Sequence, residues 1–154
     1  MKTCGVAWWI ATIAIGVVSS ACASSDEGVP VKPRQQWQGA NSEVRAFAVR
    51  PVRSSADWET LWQQIGRAPP QAWAAGPDMA VAIFLGERRT GGYGVEIVSA
   101  RATGGQLVVE YREKTPPPDA MVTQALTHPW AVALLPRSDA TVTARKIEAG
   151  PSGR

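Results

Sequence analysis

The stretch MAVAIFLGERRTGGYGVEIVSAR, from Met79 to Arg101, decides the fold. Its first part, Met79 to Leu85, is an unbroken apolar run that ends at Gly86, a pattern typical of a strand buried on both faces. A polar and glycine-rich stretch separates it from Tyr93 to Arg101, where apolar and polar residues alternate as in a strand with one solvated face. We therefore expect Met79 to Leu85 to be the central strand.

A hairpin follows the alternating strand. Thr103-Gly104-Gly105 is a turn sequence, and the residues after it alternate again. We predict a three-residue loop, because this loop pairs Ile97 with Tyr111 and Ser99 with Val109. All the large apolar side chains then share one face, whereas a two-residue loop would place the apolar sets of the two strands on opposite faces.

The acidic residues of this hairpin, Glu96, Glu110 and Glu113, have the composition of the paired acids of glycosidases. The predicted register places Glu96 across from Arg112 on the solvated face instead. We therefore interpret Glu96 as one half of a structural ion pair.

A helix is predicted before the central strand. Ser54 is suited to cap its start, Gly66 ends it, and Pro69-Pro70 prevents its continuation. Four apolar residues recur at the spacing of one helical face, which indicates core packing rather than a ligand groove. These residues are Trp58, Leu61, Trp62 and Ile65.

Three further strands are predicted: Glu43 to Arg50, which Pro51 ends and which we expect at an edge, Trp130 to Leu135, and Ala140 to Ile147. A short helix is expected from Asp119 to Leu126. Because the links between strands are short, the predicted class is α+β, with a mostly antiparallel sheet of about six strands and one amphipathic helix packed on a face.

Length and composition fit a single globular domain. The chain has 154 residues, of which 45% are hydrophobic and 19% are charged. Its formal net charge of +3 is too small to argue for a nucleic-acid partner.

Residues 1–23 are predicted to be a signal peptide. Lys2 precedes an apolar segment, Gly5 to Val18, and small residues from Ser19 to Ala23 follow. A retained membrane anchor is the alternative, because the apolar segment approaches the roughly 20 residues of a spanning helix. We expect export to the cell envelope or periplasm of a bacterium.

The run Val18-Ser19-Ser20-Ala21-Cys22 resembles a lipobox, which predicts that Cys22 becomes a lipid-bearing N-terminus anchored to the membrane. Ser19 departs from the aliphatic residue usual at its place, and ordinary cleavage after Ala23 remains the alternative. With Cys4 in the signal peptide, neither route leaves a cysteine pair for a disulfide.

The remaining chain divides into three predicted parts. A flexible tether covers 24–41, a folded domain covers 42–148, and a disordered tail covers 149–154. Within the tether, Trp37 either docks on the domain or stays exposed.

No catalytic or metal chemistry is predicted. His128 is the only histidine, and no cysteine cluster or Gly-x-Ser-x-Gly turn is present. We expect a protein that is not an enzyme and that needs no metal or cofactor.

One loop is a candidate binding site. Its glycines free backbone N–H groups to face an anion, and two arginines beside an aromatic ring are suited to grip a carboxylate, a phosphate or a peptide. A solvated hairpin loop explains the same residues, and both interpretations stay open. The candidate residues are Arg88, Arg89, Thr90, Gly91, Gly92 and Tyr93.

Several motifs together carry a family resemblance: Trp58-x-x-Leu61-Trp62, the apolar strand ending in Gly86, Thr90-Gly91-Gly92-Tyr93 and Thr127-x-Pro129-Trp130. Over about Ser42 to Ala144, they are similar to the PrcB C-terminal domain family. That family is named for an accessory lipoprotein that supports a secreted bacterial protease complex. Trp130 stands where the family commonly has a tyrosine or another aromatic residue.

The resemblance implies a non-enzymatic envelope lipoprotein that binds or stabilises a partner protein, with a secreted protease as the candidate partner. It implies no catalytic residues. Two alternatives remain. One is a protease inhibitor that offers Thr115 to Asp119 or Glu87 to Gly92 to an active site, and the other is a hydrolase of unfamiliar type that depends on His128 and Glu110.

Overall fold

The computed structural model describes residues 28–73 and 76–148, and within them seven strands and one helix form three layers. The elements are β1 (Gln35–Gly39), β2 (Ala48–Val52), α1 (Ser55–Ile65), β3 (Asp78–Phe84), β4 (Gly94–Thr103), β5 (Gln106–Lys114), β6 (Trp130–Pro136) and β7 (Thr141–Lys146). The α+β class is confirmed, with the strands divided between two sheets.

The middle layer is an antiparallel sheet in the order β1-β6-β3-β2. Every residue from Met79 to Phe84 on β3 is fully buried, because one layer covers each face of the sheet. The prediction of a central strand buried on both faces is therefore confirmed. β2 lies at an edge as predicted, but it begins at Ala48 and not at Glu43. It extends to Val52 and includes Pro51, whose missing N–H group an edge strand tolerates.

The helix forms one outer layer. Ser54 caps its start by accepting a hydrogen bond from the backbone N–H of Asp57, and Gly66 ends it with a φ of 73°. Trp58, Leu61, Trp62 and Ile65 are all buried against the sheet, so their predicted role in the core is confirmed. The facing side chains of β3 include Ala80 and Ala82, whose small size leaves room for the indole rings.

The other outer layer is a sheet in the order β4-β5-β7. Its inner face packs on the opposite side of β3 and β6, with Val109 and Val95 fully or almost fully buried between the sheets. β7 lies parallel to β5, which the short links did not lead us to expect. The reason is that β6, which lies between them in sequence, belongs to the other sheet, so the chain crosses over and returns in the same direction.

At the open end of the β4–β5 hairpin the cross-strand pairs are the predicted ones, but the turn differs from the prediction. Ile97 lies opposite Tyr111, and Glu96 lies opposite Arg112, as expected. The loop, however, holds two residues, Gly104 and Gly105, both with positive φ, as type I′ turns require. The predicted pairing of Ser99 with Val109 is therefore wrong: a bulge at Val98 supplies the extra residue, and Ser99 lies opposite Glu110.

Part of the predicted tether belongs to the fold. β1 covers Gln35–Gly39 and pairs along its whole length with β6. Trp37 packs edge-on against Trp58 and Trp62, at ring-centroid distances of 5.7 and 6.0 Å. The docking of this one aromatic residue and the ladder to β6 explain why a polar segment without periodicity forms a strand.

The helix predicted from Asp119 to Leu126 is wrong. Residues 115–129 run without helix, with a turn in which Ala120 N–H donates to Pro117 O. The backbone groups that a helix would pair internally are bonded elsewhere, as the next section describes. Most side chains of 119–126 are exposed, so the segment has no buried apolar face to stabilise a helix.

The predicted signal peptide, Cys22 and the C-terminal tail lie outside the described residues. Over 28–73 and 76–148, no helix has the length and apolar character needed to cross a membrane.

Candidate partner-binding site

The predicted binding loop connects the two sheets. Because β3 and β4 belong to different sheets, residues 86–93 form a crossover and not the tip of a hairpin. Residues 115–129, which lead from β5 back to β6, lie against this crossover. We call these two segments together the double loop.

Backbone hydrogen bonds hold the two halves of the double loop together. Arg88 and Thr127 exchange two bonds, with N···O distances of 2.8 and 2.9 Å. Gly91 N–H donates to Thr123 O at 2.8 Å, and the Thr127 hydroxyl donates to Thr90 O at 2.9 Å. The N–H groups of Arg88 and Gly91 are therefore not available to bind an anion.

Gly92 is required where the halves make close contact. Its φ is 85°, which side-chain-bearing residues rarely adopt, and a Cβ atom there would lie 2.9 Å from Pro116 Cβ and 3.0 Å from Val122 Cγ1. The glycines of the candidate site thus have a structural role in joining the two segments.

The Arg88 side chain is also engaged within the protein. Its Nη2 lies 2.8 Å from Glu113 Oε1, and its guanidinium lies 5.8 Å from the centre of the Tyr93 ring. Lys146 Nζ contacts the other oxygen of Glu113 at 3.0 Å. Burial alone would raise the pKa of Glu113, but the hydrogen bonds from Arg88 and Lys146 outweigh it, and the pKa is lowered.

Of the six predicted residues, Arg89 is the one whose charge is presented to solvent. Its side chain is exposed and has no hydrogen bond or ion pair to the described residues of the chain. The Arg88 side chain and the N–H groups of Arg88 and Gly91 therefore contribute nothing to anion binding in this arrangement. Arg89 remains a candidate contact for a partner.

The sequence did not single out the two most exposed apolar residues of the double loop. Met121 is fully exposed, and Leu126 is 57% exposed. They flank Thr123, whose carbonyl is bonded to Gly91, so a fixed backbone presents them to solvent. A short helix was predicted from Asp119 to Leu126, and the exposure of these two side chains was not predicted.

His128 and Glu110, the pair named for a hydrolase, lie in separate clusters. His128 Nε2 is 3.7 Å from Glu87 Oε2, and its backbone N–H donates to Ala40 O. Glu110 lies on the face of the second sheet turned away from the core, where its carboxylate binds Arg145, Ser99 and Arg101. Among residues 28–73 and 76–148, the two side chains therefore have no partner in common.

The environment of Glu110 favours its ionised form. Hydrogen bonds from Arg145 and then Ser99, opposed by burial and assisted by Arg101, lower the pKa of Glu110 from 4.5 to about 2. A carboxylate held in this way is a weak base, which suits a structural ion cluster better than proton transfer. Glu96 forms the predicted ion pair with Arg112, at 3.6 Å.

Metal ligands do not converge in the part of the chain that the structure describes. Over 28–73 and 76–148, no three side chains of His, Cys, Asp or Glu lie close enough to hold a metal ion.

Comparison with known families adds one finding. Residues 79–136 match the family model described as PrcB C-terminal. This match confirms the resemblance over the segment from β3 to β6, which contains both halves of the double loop. No curated protein and no solved structure matched the chain.

Proposed function

We propose that this chain is a non-enzymatic accessory protein of the bacterial cell envelope whose double loop binds a partner protein, with a secreted protease as the leading candidate. The PrcB C-terminal match over residues 79–136 supports the accessory role. The predicted lipidation of Cys22 would hold the protein at the membrane, where a secreted partner passes.

The single observation that carries the proposal is the exposure of Met121 and Leu126 on an ordered backbone. Apolar side chains held in solvent by a fixed loop contribute nothing to the core, and they lose unfavourable hydration when a partner covers them. Little flexibility has to be lost on binding, because the Arg88–Thr127 and Gly91–Thr123 bonds already fix the loop. Arg89 adds a charge at the same double loop.

Quantitative capture from membranes tests the proposal. The tagged chain is expressed in the cells that naturally produce it, and their membranes are solubilised in mild detergent before the chain is captured. The amounts of the co-captured proteins are then compared between the native chain and the double variant Met121→Ser/Leu126→Ser. We expect one partner to fall by at least about tenfold, the size of effect that losing a central apolar contact produces. The matched control, Thr60→Ser/Gln63→Ser on the exposed side of α1, should retain it. Equal capture by all three proteins would contradict the proposal.

Protease inhibition is a second candidate function, because the exposed part of 115–129 is extended and fixed at two points, as inhibitory loops are. In this case Met121 would enter the specificity pocket of the enzyme. Incubation with a panel of serine, cysteine and metalloproteases separates the two functions: an inhibitor stops substrate cleavage in proportion to its concentration, and Met121→Asp removes the effect. An accessory protein leaves the cleavage rate of the panel unchanged.

A further inference from the structure

The open edge of β4 is the second feature of this fold that suits a protein partner. In the order β4-β5-β7, β4 has β5 on one side only. The segment before β1 covers the half of this edge that contains Ala100 and Ala102. Val31 exchanges two backbone hydrogen bonds with Ala100, and Gly28 N–H donates to Ala102 O. After Val31 the chain leaves β4 and pairs with β6, so the other half of β4, from Gly94 to Val98, has no hydrogen-bonded strand on this side among the described residues.

The pairing of β5 with β7 and with β4 shows which backbone N–H and C=O groups of Gly94 to Val98 are unpaired. Ile147 N–H donates to Tyr111 O, so the backbone groups of Tyr111 face β7. In an antiparallel pair, two directly opposed residues either bond to each other through their backbone N–H and C=O groups or both direct these groups away from the partner strand. Ile97, which lies opposite Tyr111, therefore directs its N–H and C=O groups away from β5, and Val95, two residues earlier, does the same. The side chains of both are almost fully buried, while these backbone groups lie at the open edge.

Hollows lie along the same edge, where β1 runs past β4 without pairing with it. Three contiguous hollows separate β4 from β1, with volumes of about 410, 340 and 270 Å³. Gln36 and Gln38 of β1 form one wall, and the backbone from Gly94 to Val98 forms the other. The stretch of five residues is about 17 Å long at the usual rise of a strand, which is enough for a short added strand.

The edges formed by β2 and β7 carry residues that discourage pairing with a further strand. β2 carries Pro51, and β7 carries Arg145 and Lys146 near its end. Proline and basic side chains are the devices by which native proteins discourage pairing at an edge. Gly94 to Ile97 contains neither.

The three hollows together form a groove, and the charged residues around it determine which extended segments it favours. Lys32 lies at one end and Lys114 at the other, and both side chains are exposed. The remaining charged pair, Glu96 and Arg112, is neutral as a unit. An extended segment with carboxylates about four residues apart would place one near each lysine at the usual rise of a strand.

We propose that the edge from Gly94 to Val98 binds an extended acidic segment of a partner protein by β-strand addition, continuing the pairing that Val31 begins at Ala100. Main-chain hydrogen bonds to Val95 and Ile97 supply the attachment, and Lys32 and Lys114 supply the preference for acidic sequences. This inference rests on the proposed function, in that it assumes a protein partner, but it uses residues other than Arg89, Met121 and Leu126.

The test begins with random twelve-residue peptides displayed on phage and selected against the full chain in detergent micelles. The enriched peptides are then synthesised, and hydrogen exchange is followed at single amides. In the free protein we expect the amides of Val95 and Ile97 to exchange rapidly although their side chains are buried, because they face the open edge. An enriched acidic peptide should slow both amides by at least about tenfold, in proportion to its bound fraction.

Charge-reversal variants test the acidic preference. Lys32→Glu/Lys114→Glu should weaken peptide binding at least tenfold, whereas Arg45→Glu/Arg50→Glu, with the same change of net charge at exposed positions that line none of the three hollows, should leave it unchanged. Circular dichroism and thermal melting confirm that both variants fold. Enriched peptides that bind both variants equally, or that protect other amides, would overturn the inference, as would a selection without any enriched peptide.

The two proposals fail separately. If Met121→Ser/Leu126→Ser loses its membrane partner and no peptide protects Val95 and Ile97, the strand-addition inference is contradicted and the function stands. If acidic peptides protect the edge while Met121→Ser/Leu126→Ser keeps every partner, the inference is supported and the assignment of the double loop is contradicted.

Discussion

Ile97 on β4 lies directly opposite Tyr111 on β5, and the next residue, Val98, bulges out of the ladder between them and the Ser99–Glu110 pair. The bulge changes the parity of β4, so apolar residues on both sides of it face the core. It also places the Ser99 hydroxyl 2.5 Å from Glu110 Oε2, on the opposite face of the sheet. One inserted residue therefore serves both the core and the ion cluster outside it.

The Glu110 cluster makes stability depend on acid pH. Because the pKa of Glu110 is lowered from 4.5 to about 2 on folding, its contribution is complete above about pH 4.5 and is lost as the pH falls toward 2. At pH 7, Glu110→Gln should lower the free energy of unfolding by about 1 to 3 kcal/mol, since charged hydrogen bonds are lost and arginines lose their counter-ion. Urea unfolding at several pH values measures the gap between the variant and the native chain.

Glu96→Gln is the matched control for this change. Its side chain is 57% exposed and 3.6 Å from Arg112, so the substitution should cost less than about 0.5 kcal/mol. A gap for Glu110→Gln that stays constant down to pH 2 would contradict the dependence of this stability on the ionised form of Glu110. Equal effects of the two substitutions would show that the Glu110 cluster contributes no more stability than an exposed ion pair.

A pair of glycines tests the close contact within the double loop. Gly92→Ala places a Cβ 2.9 Å from Pro116 Cβ at a positive φ, whereas Gly94→Ala meets its nearest atom, Lys114 Cβ, at 3.7 Å. We expect Gly92→Ala to destabilise the protein by at least about 1 kcal/mol and Gly94→Ala to have a much smaller effect. Thermal melting of both variants gives the comparison. Similar losses at the two positions would mean that the halves of the double loop are not fixed as described.

The parts of the fold that could be predicted from sequence are those in which a buried face repeats. The apolar run of β3 and the spacing of Trp58, Leu61, Trp62 and Ile65 specify burial directly. Because side chains alternate between the two faces of a strand, the hairpin needed an odd number of unpaired residues for the apolar side chains of both strands to share one face. This condition could not decide between a three-residue loop and a two-residue loop with a one-residue bulge. Both solutions satisfy the same burial.

The parts that could not be predicted depend on contacts distant in sequence. β1 forms because Trp37 docks on α1 and because β6 offers a free edge, and neither partner is visible in the segment itself. Residues 115–129 avoid helix because Arg88 and Gly91 bond their backbone. Within the candidate site, exposed Arg89 was predicted from the sequence. Met121 and Leu126 were not, because a helix was expected in their segment.

The tryptophan cluster should dominate the stability of the helix layer. Trp62 is 3% exposed, and its ring centroid lies 5.4 Å from that of Trp58 and 5.6 Å from that of Trp130. Trp62→Ala should lower the free energy of unfolding by about 3 to 5 kcal/mol, because it leaves a large cavity. The neighbouring exposed Gln63→Ala should stay within about 0.5 kcal/mol of the native chain. A loss below about 1 kcal/mol for Trp62→Ala would argue against a core role.

The membrane anchor makes a separate prediction. If Cys22 carries lipid, the native chain enters the detergent-rich phase of a Triton X-114 separation and Cys22→Ser enters the aqueous phase, because acyl chains anchor a small domain far more strongly than its surface charge does. Cys4→Ser is the control, since the signal peptide leaves with it, and it should partition as the native chain does. A native chain found in the aqueous phase would end the lipoprotein proposal.

The central claim is that the double loop contacts a partner, and photo-crosslinking in living cells tests it most directly. A photoreactive phenylalanine analogue is placed at Met121, and in a second chain at Glu59, which is exposed on α1 away from the double loop. After irradiation, the account predicts one discrete crosslinked protein from position 121 that is absent from position 59. Identical adducts from both positions, or no adduct from position 121, would contradict it.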